Sequence, residues 1–174
     1  MANNGETLSL SRWRSWHEVQ RKGNTVGSRG KITRNPMKLS STQKEIIYGL
    51  VLGDAYLQKT GTHNARLRLE HSESQAAYLT WLHQQLGNLF MRAPTKMTRT
   101  HPKTQRLYRY VRLQSHSSPW FGKLQRVFYP DGKKVIPENI ERFLKSGRTL
   151  AVWYMDDGSY YSRDRSAHIY LQKL

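Results

Sequence analysis

At 174 residues, with 29 Lys+Arg against 12 Asp+Glu, the chain carries a formal net charge of +17 and a pI near 10.4. It is long enough to bury a core, and charge of this sign and size repels itself unless a polyanion neutralises it, so nucleic acid is the leading partner. No apolar run is long enough to span a bilayer, no apolar signal-peptide core follows Met1, and zero cysteines exclude disulfides and thiolate zinc sites.

Residues 1–40 stand apart. They hold eight basic residues (Arg12, Arg14, Arg21, Lys22, Arg29, Lys31, Arg34, Lys38) against Glu6 and Glu18, with Gly23, Gly27 and Gly30 between them. Ser11–Lys22 can form one short helix carrying Trp13 and Trp16, and the remainder reads as linker. Three readings stay open: a solvated basic tail, an arm that orders on nucleic acid, and an organellar presequence, against which the two acids and poor amphipathicity count.

From Ser41 the pattern tightens. Ser41 or Thr42 can cap a helix with Glu45 completing a capping box, and Ile46, Ile47, Leu50 and Val51 give it an apolar face that stops near Asp54. Ala55–Lys59 reads as a strand and Gly61–Asn64 as a turn. Ala65–Ser72 is a second strand, in which Leu67 and Leu69 alternate with Arg66, Arg68 and Glu70. Ser74 is placed to cap a helix to about Phe90. Thr95–His101 and Arg106–Ser115 form the next strand pair through Pro102-Lys103-Thr104. In its second strand Leu107, Val111 and Leu113 face one way, with Arg109 among them, and Tyr108, Tyr110, Arg112 and Gln114 face the other. Ser118-Pro119 opens a helix to about Tyr129. Pro130-Asp131-Gly132 turns, Glu138–Lys145 is a short helix, Gly147–Asp157 a longer one, and Ser159–Leu174 leaves room for one hairpin.

Two segments in this series are versions of one another: Ile47-Tyr48-Gly49-Leu50-Val51-Leu52-Gly53-Asp54-Ala55 and Leu150-Ala151-Val152-Trp153-Tyr154-Met155-Asp156-Asp157-Gly158. Each is an apolar helical run closing on a carboxylate, at the end where backbone carbonyls already concentrate negative charge, so a cation is expected against it. Gly49 and Gly53 share one helix face and allow a partner helix to approach closely. If that partner is the second helix, Asp54 and Asp157 meet, and they cannot both stay ionised without cations between them. Oxygen-preferring Mg²⁺ or Mn²⁺ suits such a site, where a two-metal arrangement activates water and stabilises the leaving oxygen of a phosphodiester. His63, His71, His83, His101, His116 and His168 show no metal-ligand spacing and are assigned no chemistry.

The two segments resemble the LAGLIDADG motif, and the element order between them resembles one αββαββα repeat of that homing-endonuclease family, over residues 42–174. The runs Gly53-Asp54-Ala55-Tyr56 and Trp153-Tyr154-Met155-Asp156-Asp157-Gly158 are similar to the two-motif branch found in group I introns. The resemblance implies an α+β LAGLIDADG homing-endonuclease fold with an antiparallel DNA-binding sheet. It implies a site-specific endonuclease that cuts double-stranded DNA with divalent metal. Asp54 and Asp157, at the eighth motif position, would be its catalytic metal anchors, with metal contact also from the backbone carbonyls of Gly53 and Asp156. Lys133 and Lys134 resemble a basic residue that the family sets beside the cleaved phosphate; Lys133 is the chosen candidate, and a solvated turn is the alternative. Gly49, Gly53 and Ala151 are expected at the helix interface, with Val152 and Asp156 making the second helix pack less symmetrically. Ala55 replaces the motif's last glycine.

The polar strand faces are the expected DNA platform, since a two-stranded ribbon fits the major groove, where arginine reads guanine and glutamine adenine. Its candidates are Tyr56, Gln58, Lys59, Arg66, Arg68, Glu70, Lys96, Thr98, Thr100, Arg106, Tyr108, Tyr110, Arg112 and Gln114. Three parts follow: a basic arm or linker at 1–40, a first repeat at 41–146, and the second motif helix with a partial hairpin at 147–174. The second repeat is incomplete as read. The expected accounts are a truncated reading frame, completion by a second copy or another polypeptide, or a protein that only binds nucleic acid. A hairpin without covering helices would expose Ile169, Leu171 and Leu174. Beside the endonuclease stands a second function, an RNA-binding intron maturase or other non-catalytic binder of structured RNA. The compartment stays open between an organellar matrix and a bacterial cytoplasm; secretion is not expected.

Overall fold

The computed structural model of the chain describes residues 37–170. The expected Ser11–Lys22 helix, Leu171 and Leu174 lie outside the described residues. Helix α1 (Ser41–Leu52) starts one residue earlier in its capping than the sequence suggests. The Ser40 hydroxyl accepts from the Gln43 N–H while the Gln43 side chain accepts from the Ser40 N–H, a reciprocal box. Glu45 is drawn away from that role by Arg148, whose guanidinium it accepts across the helix pair.

Strands β1 (Tyr56–Lys59), β2 (Ala65–Ser72), β3 (Thr95–Thr100) and β4 (Leu107–Gln114) build one antiparallel sheet in the order β1-β2-β4-β3. Helix α2 (Ala76–Leu86) packs toward β4, and α3 (Pro119–Phe128) toward β1 and β2. Both helices lie on the same face of the sheet, because the buried strand positions, Leu57, Ala65, Leu67, Leu69, Val111 and Leu113, all share it. The core fills that side with Ile46, Ile47, Leu50, Val51, Leu79, Leu82, Leu86, Phe121 and Phe128, nearly all without solvent contact. Met37 and Leu39 pack on its margin, ahead of Ser41.

Three element details differ from the sequence reading. The segment at Glu73–Gln75 is a single 3₁₀ turn, and no side-chain cap opens α2; Ser74 instead meets the Ser72 hydroxyl at 2.6 Å. Gly87, at φ +44°, ends α2 before Phe90. The Glu138–Lys145 segment holds one 3₁₀ turn, Ile140–Arg142, rather than a helix. Helix α4 (Gly147–Asp157) begins on the Ser146 hydroxyl, which accepts from Thr149 N–H at 3.2 Å, and lies against α1. It feeds directly into the hairpin β5 (Gly158–Tyr161) and β6 (Ser166–Ile169), where Ile169 pairs with Gly158 and is half-buried on the core.

Candidate active site and nucleic-acid face

The contact between α1 and α4 sets the site. A Cβ added at Gly49 would stand 2.6 Å from the Thr149 carbonyl oxygen and 2.7 Å from Val152 Cβ, and one at Gly53 would stand 2.5 Å from Asp156 Oδ2. Those glycines admit α4 to backbone distance, as their spacing suggests. The facing residues are Thr149, Val152 and Asp156. Ala151, expected at this interface, is exposed on the outer side of α4 instead, because the helix turns Val152 and Trp153 inward.

With both helices ending together, three carboxylates share one corner. The Asp156 side chain crosses to the other helix. Its Oδ2 accepts from the Asp54 N–H at 3.1 Å and its Oδ1 from the Tyr78 hydroxyl at 2.9 Å. Enclosure, and then the charge of Asp54, push its carboxyl well above the usual carboxylate range. Asp54 is likewise raised by burial, with His71 and Lys134 opposing. Asp157 is pushed up to about 6 by burial and by Asp54, against the pull of Lys134 and of Trp153 Nε1–H, which donates to its Oδ2 at 3.2 Å. The corner therefore holds more negative charge than its own cation balances.

That cation is Lys134. Its ammonium donates to the Gly53 carbonyl, the group that the motif places beside the acid. Lys133, the candidate taken from the sequence, is exposed, and the turn through Gly132 at φ +75° delivers its neighbour inward. Two further residues come from outside the motifs. His71 continues the buried phase of Leu67 and Leu69, so its ring points into the molecule. Its Nδ1 lies 3.0 Å from Gln75 Oε1 and 4.0 Å from Asp54 Oδ2, while its buried Nε2 has no hydrogen-bond partner among the described residues. Tyr78, edge-on to His71 at 5.6 Å, carries the hydroxyl that binds Asp156.

The sheet face away from the helices is basic and aromatic. The register aligns Tyr56 with Arg68, Gln58 with Arg66, Arg68 with Gln114, and Glu70 with Arg112, so these side chains share that face with Tyr108 and Tyr110. Arg106 lies over the Tyr108 ring at 5.5 Å. Four expected members do not belong to it. Lys59 pairs with Ala65, Lys96 with Val111, Thr98 with Arg109 and Thr100 with Leu107, all in the phase of the helix-covered side. Thr95, Met97 and Arg99 take the places opposite Arg112, Tyr110 and Tyr108. Glu70 Oε1 accepts from Arg68 Nε at 2.9 Å and Arg112 Nε at 2.6 Å, and Arg68 is buried, 8% exposed. Burial, and then the neighbouring charges of Arg68 and Arg112, lower the Arg66 guanidinium, the mark of a cation cluster short of anions.

Residues 44–174 match the LAGLIDADG DNA endonuclease family. The chain belongs to that family. Among LAGLIDADG relatives and other curated proteins that it resembles, the cytochrome b mRNA maturase bI2 of Debaryomyces hansenii is 32% identical over 69% of this chain and 47% of that protein. Protein RecA of Mycolicibacterium flavescens is 30% identical over 86% of this chain and 33% of that protein. The probable intron-encoded endonuclease 1 of Wickerhamomyces canadensis is 26% identical over 80% and 62%. Of solved structures, the homing endonuclease I-WcaI bound to its DNA recognition sequence superposes with a TM-score of 0.64 at 27% identity, covering 72% of this chain and 55% of that one. The LAGLIDADG fold expected from the sequence is thus the fold present. The chain spans a third to a half of the length of the first curated relatives it matches.

Proposed function

We propose that this chain is a site-specific endonuclease that hydrolyses both strands of duplex DNA with a divalent cation. The observation that carries the reading is the meeting of Asp54 and Asp157 at the joined ends of α1 and α4, each raised by burial and Asp157 further by the charge of Asp54. The donor chemistry fits a hard dication such as Mg²⁺ or Mn²⁺: carboxylates and backbone carbonyls, all oxygen donors. Asp54 and Asp157 would hold it, with the Gly53 and Asp156 carbonyls as further donors. When bound, it supplies Lewis-acid stabilisation and a water of lowered pKa.

The protein's own residues do the rest. Asp156 pins the Asp54 backbone through its N–H, so the Asp54 carboxylate is held at the helix junction. Lys134, already drawn to this corner, is placed to neutralise charge on the phosphate. Tyr56, Gln58, Arg66, Arg99, Tyr108, Tyr110 and Gln114 present the groove-reading face, and the basic surplus supplies phosphate contacts. Leu150 and Met155, 49% and 50% exposed on α4, offer a surface to a second polypeptide or copy.

The test is cleavage of a library of long duplexes in Mg²⁺ by the wild type, Asp54→Asn and Asp157→Asn. Cutting by the wild type that both variants abolish, with binding retained, supports the reading; cutting that survives in both sinks it. A second reading, a non-catalytic binder of structured intron RNA, is favoured by the maturase relative. It predicts tight RNA binding that neither substitution changes.

A further inference from the structure

On the assumption that the sheet face binds duplex DNA, we propose that a depression at its β3 edge is a thymine-methyl pocket, reading one A·T base pair from the major groove. The depression has a volume of about 260 Å³ and is lined by Met91, Arg92, Ala93, Thr95, Met97, Arg112 and Gln114. It interrupts a face otherwise built from Arg, Tyr, Gln and Glu. Met97 stands there by register, opposite Tyr110, and Met91, 51% exposed, is anchored beside it by its N–H, which donates to the Gln114 carbonyl at 3.1 Å.

Apolar side chains held open to solvent among guanidiniums serve neither phosphate nor water. The major groove offers one apolar feature at a base edge, the 5-methyl group of thymine, and methionine adapts its shape to such a group. The flanking chemistry agrees. Gln114 carries the carbonyl and amide that match the N6 and N7 of adenine on the opposite strand, and among the described residues its Nε2 makes a long 3.9 Å contact with Met91 Sδ. Arg92 and Arg112 border the pocket with positive charge, complementary to the backbone on either side. RNA is the wrong occupant: its major groove is too deep and narrow to admit these side chains, and uracil has no methyl group.

The test uses the full chain. A high-affinity duplex is selected from a randomised library, each thymine in it is replaced singly by deoxyuridine, which removes only the methyl group, and binding is followed by fluorescence anisotropy. At one or two positions the replacement is expected to weaken binding about four-fold, the effect of burying one methyl-sized group. Met97→Ser is expected to erase that difference at those positions alone, while Met97→Leu preserves it and shows that the variant chain folds. A duplex that binds but responds to no deoxyuridine, or a response that Met97→Ser leaves intact, overturns the pocket without touching the endonuclease reading. Failure to select any duplex, with RNA bound instead, overturns both.

Discussion

Asp157 sits in an environment that water would not offer a carboxylate. Its folded-state carboxyl titrates at about 6, against 3.8 ordinarily, so between those values the folded chain keeps a proton that the unfolded chain has released. Stability without metal therefore falls as pH rises through that window. Asp157→Asn keeps an acceptor for Trp153 and removes the charge. In chelator near neutral pH it is expected to raise stability by about 1 kcal/mol after allowance for solvent screening, or ~3 °C in Tm, and to bring nothing below about pH 4. Mg²⁺ should raise the wild-type Tm and leave Asp157→Asn nearly unmoved, which scanning calorimetry with and without chelator checks. The two acids were legible in the sequence because each closes an apolar helix. His71 and Tyr78 were not, since a single histidine or tyrosine carries no spacing signal; only the phase of β2, two residues past Leu69, pointed His71 inward. Lys133 and Lys134 are adjacent, and nothing in the sequence says which one the Gly132 turn sends into the corner.

At the scale of elements, the helix pair is the joint on which the site depends. Gly49→Ala drives a Cβ to 2.6 Å from the Thr149 carbonyl, a backbone atom that cannot swing away. Overpacking of this kind costs about 1–3 kcal/mol. It should lower Tm by roughly 3–10 °C and cleavage by more than stability alone accounts for, because the acids separate. Ala151→Ser, on the exposed side, should change neither. The strands show where a sequence speaks and where it stays silent. In β2 and β4 the leucines and valine alternate with charge, and their faces were legible. Thr95-Lys96-Met97-Thr98-Arg99-Thr100 has polar residues in both phases, and as an edge strand it has no helix fully covering it to force a contrast; its face was set only by pairing with β4. That register makes opposite predictions for neighbours. Arg99→Ala is expected to weaken duplex binding several-fold and to relax sequence preference at one position, while Thr98→Ala stays within two-fold, as titrations against singly substituted duplexes will show.

At the scale of the molecule, the proposed function has charge and shape divide the labour between affinity and choice of site. The surplus of +17 exceeds what one sheet face can use, and Arg12, Arg14, Arg21, Lys22, Arg29, Lys31 and Arg34 all precede the compact unit that starts at Pro36. Each phosphate neutralised releases counterions, so log K falls against log salt with a slope of about −0.9 per contact. If those seven cations act on the DNA backbone, a chain beginning at Pro36 will bind with a slope shallower by about 3–5, yet select the same duplex, because base reading stays with β1–β4. A solvated tail predicts an unchanged slope instead. The two outcomes separate by more than titration error, and retention of the Tm in the shortened chain would show that the compact unit stays folded without residues 1–35. Composition points to a polyanionic partner, since net charge sums over all residues whatever their positions. It could not say which cations touch the backbone and which are tied up internally, as Arg68 and Arg112 are by Glu70. Arg68→Ala is therefore expected to act more through stability than through binding, because it strips a half-buried carboxylate of one of its two partners.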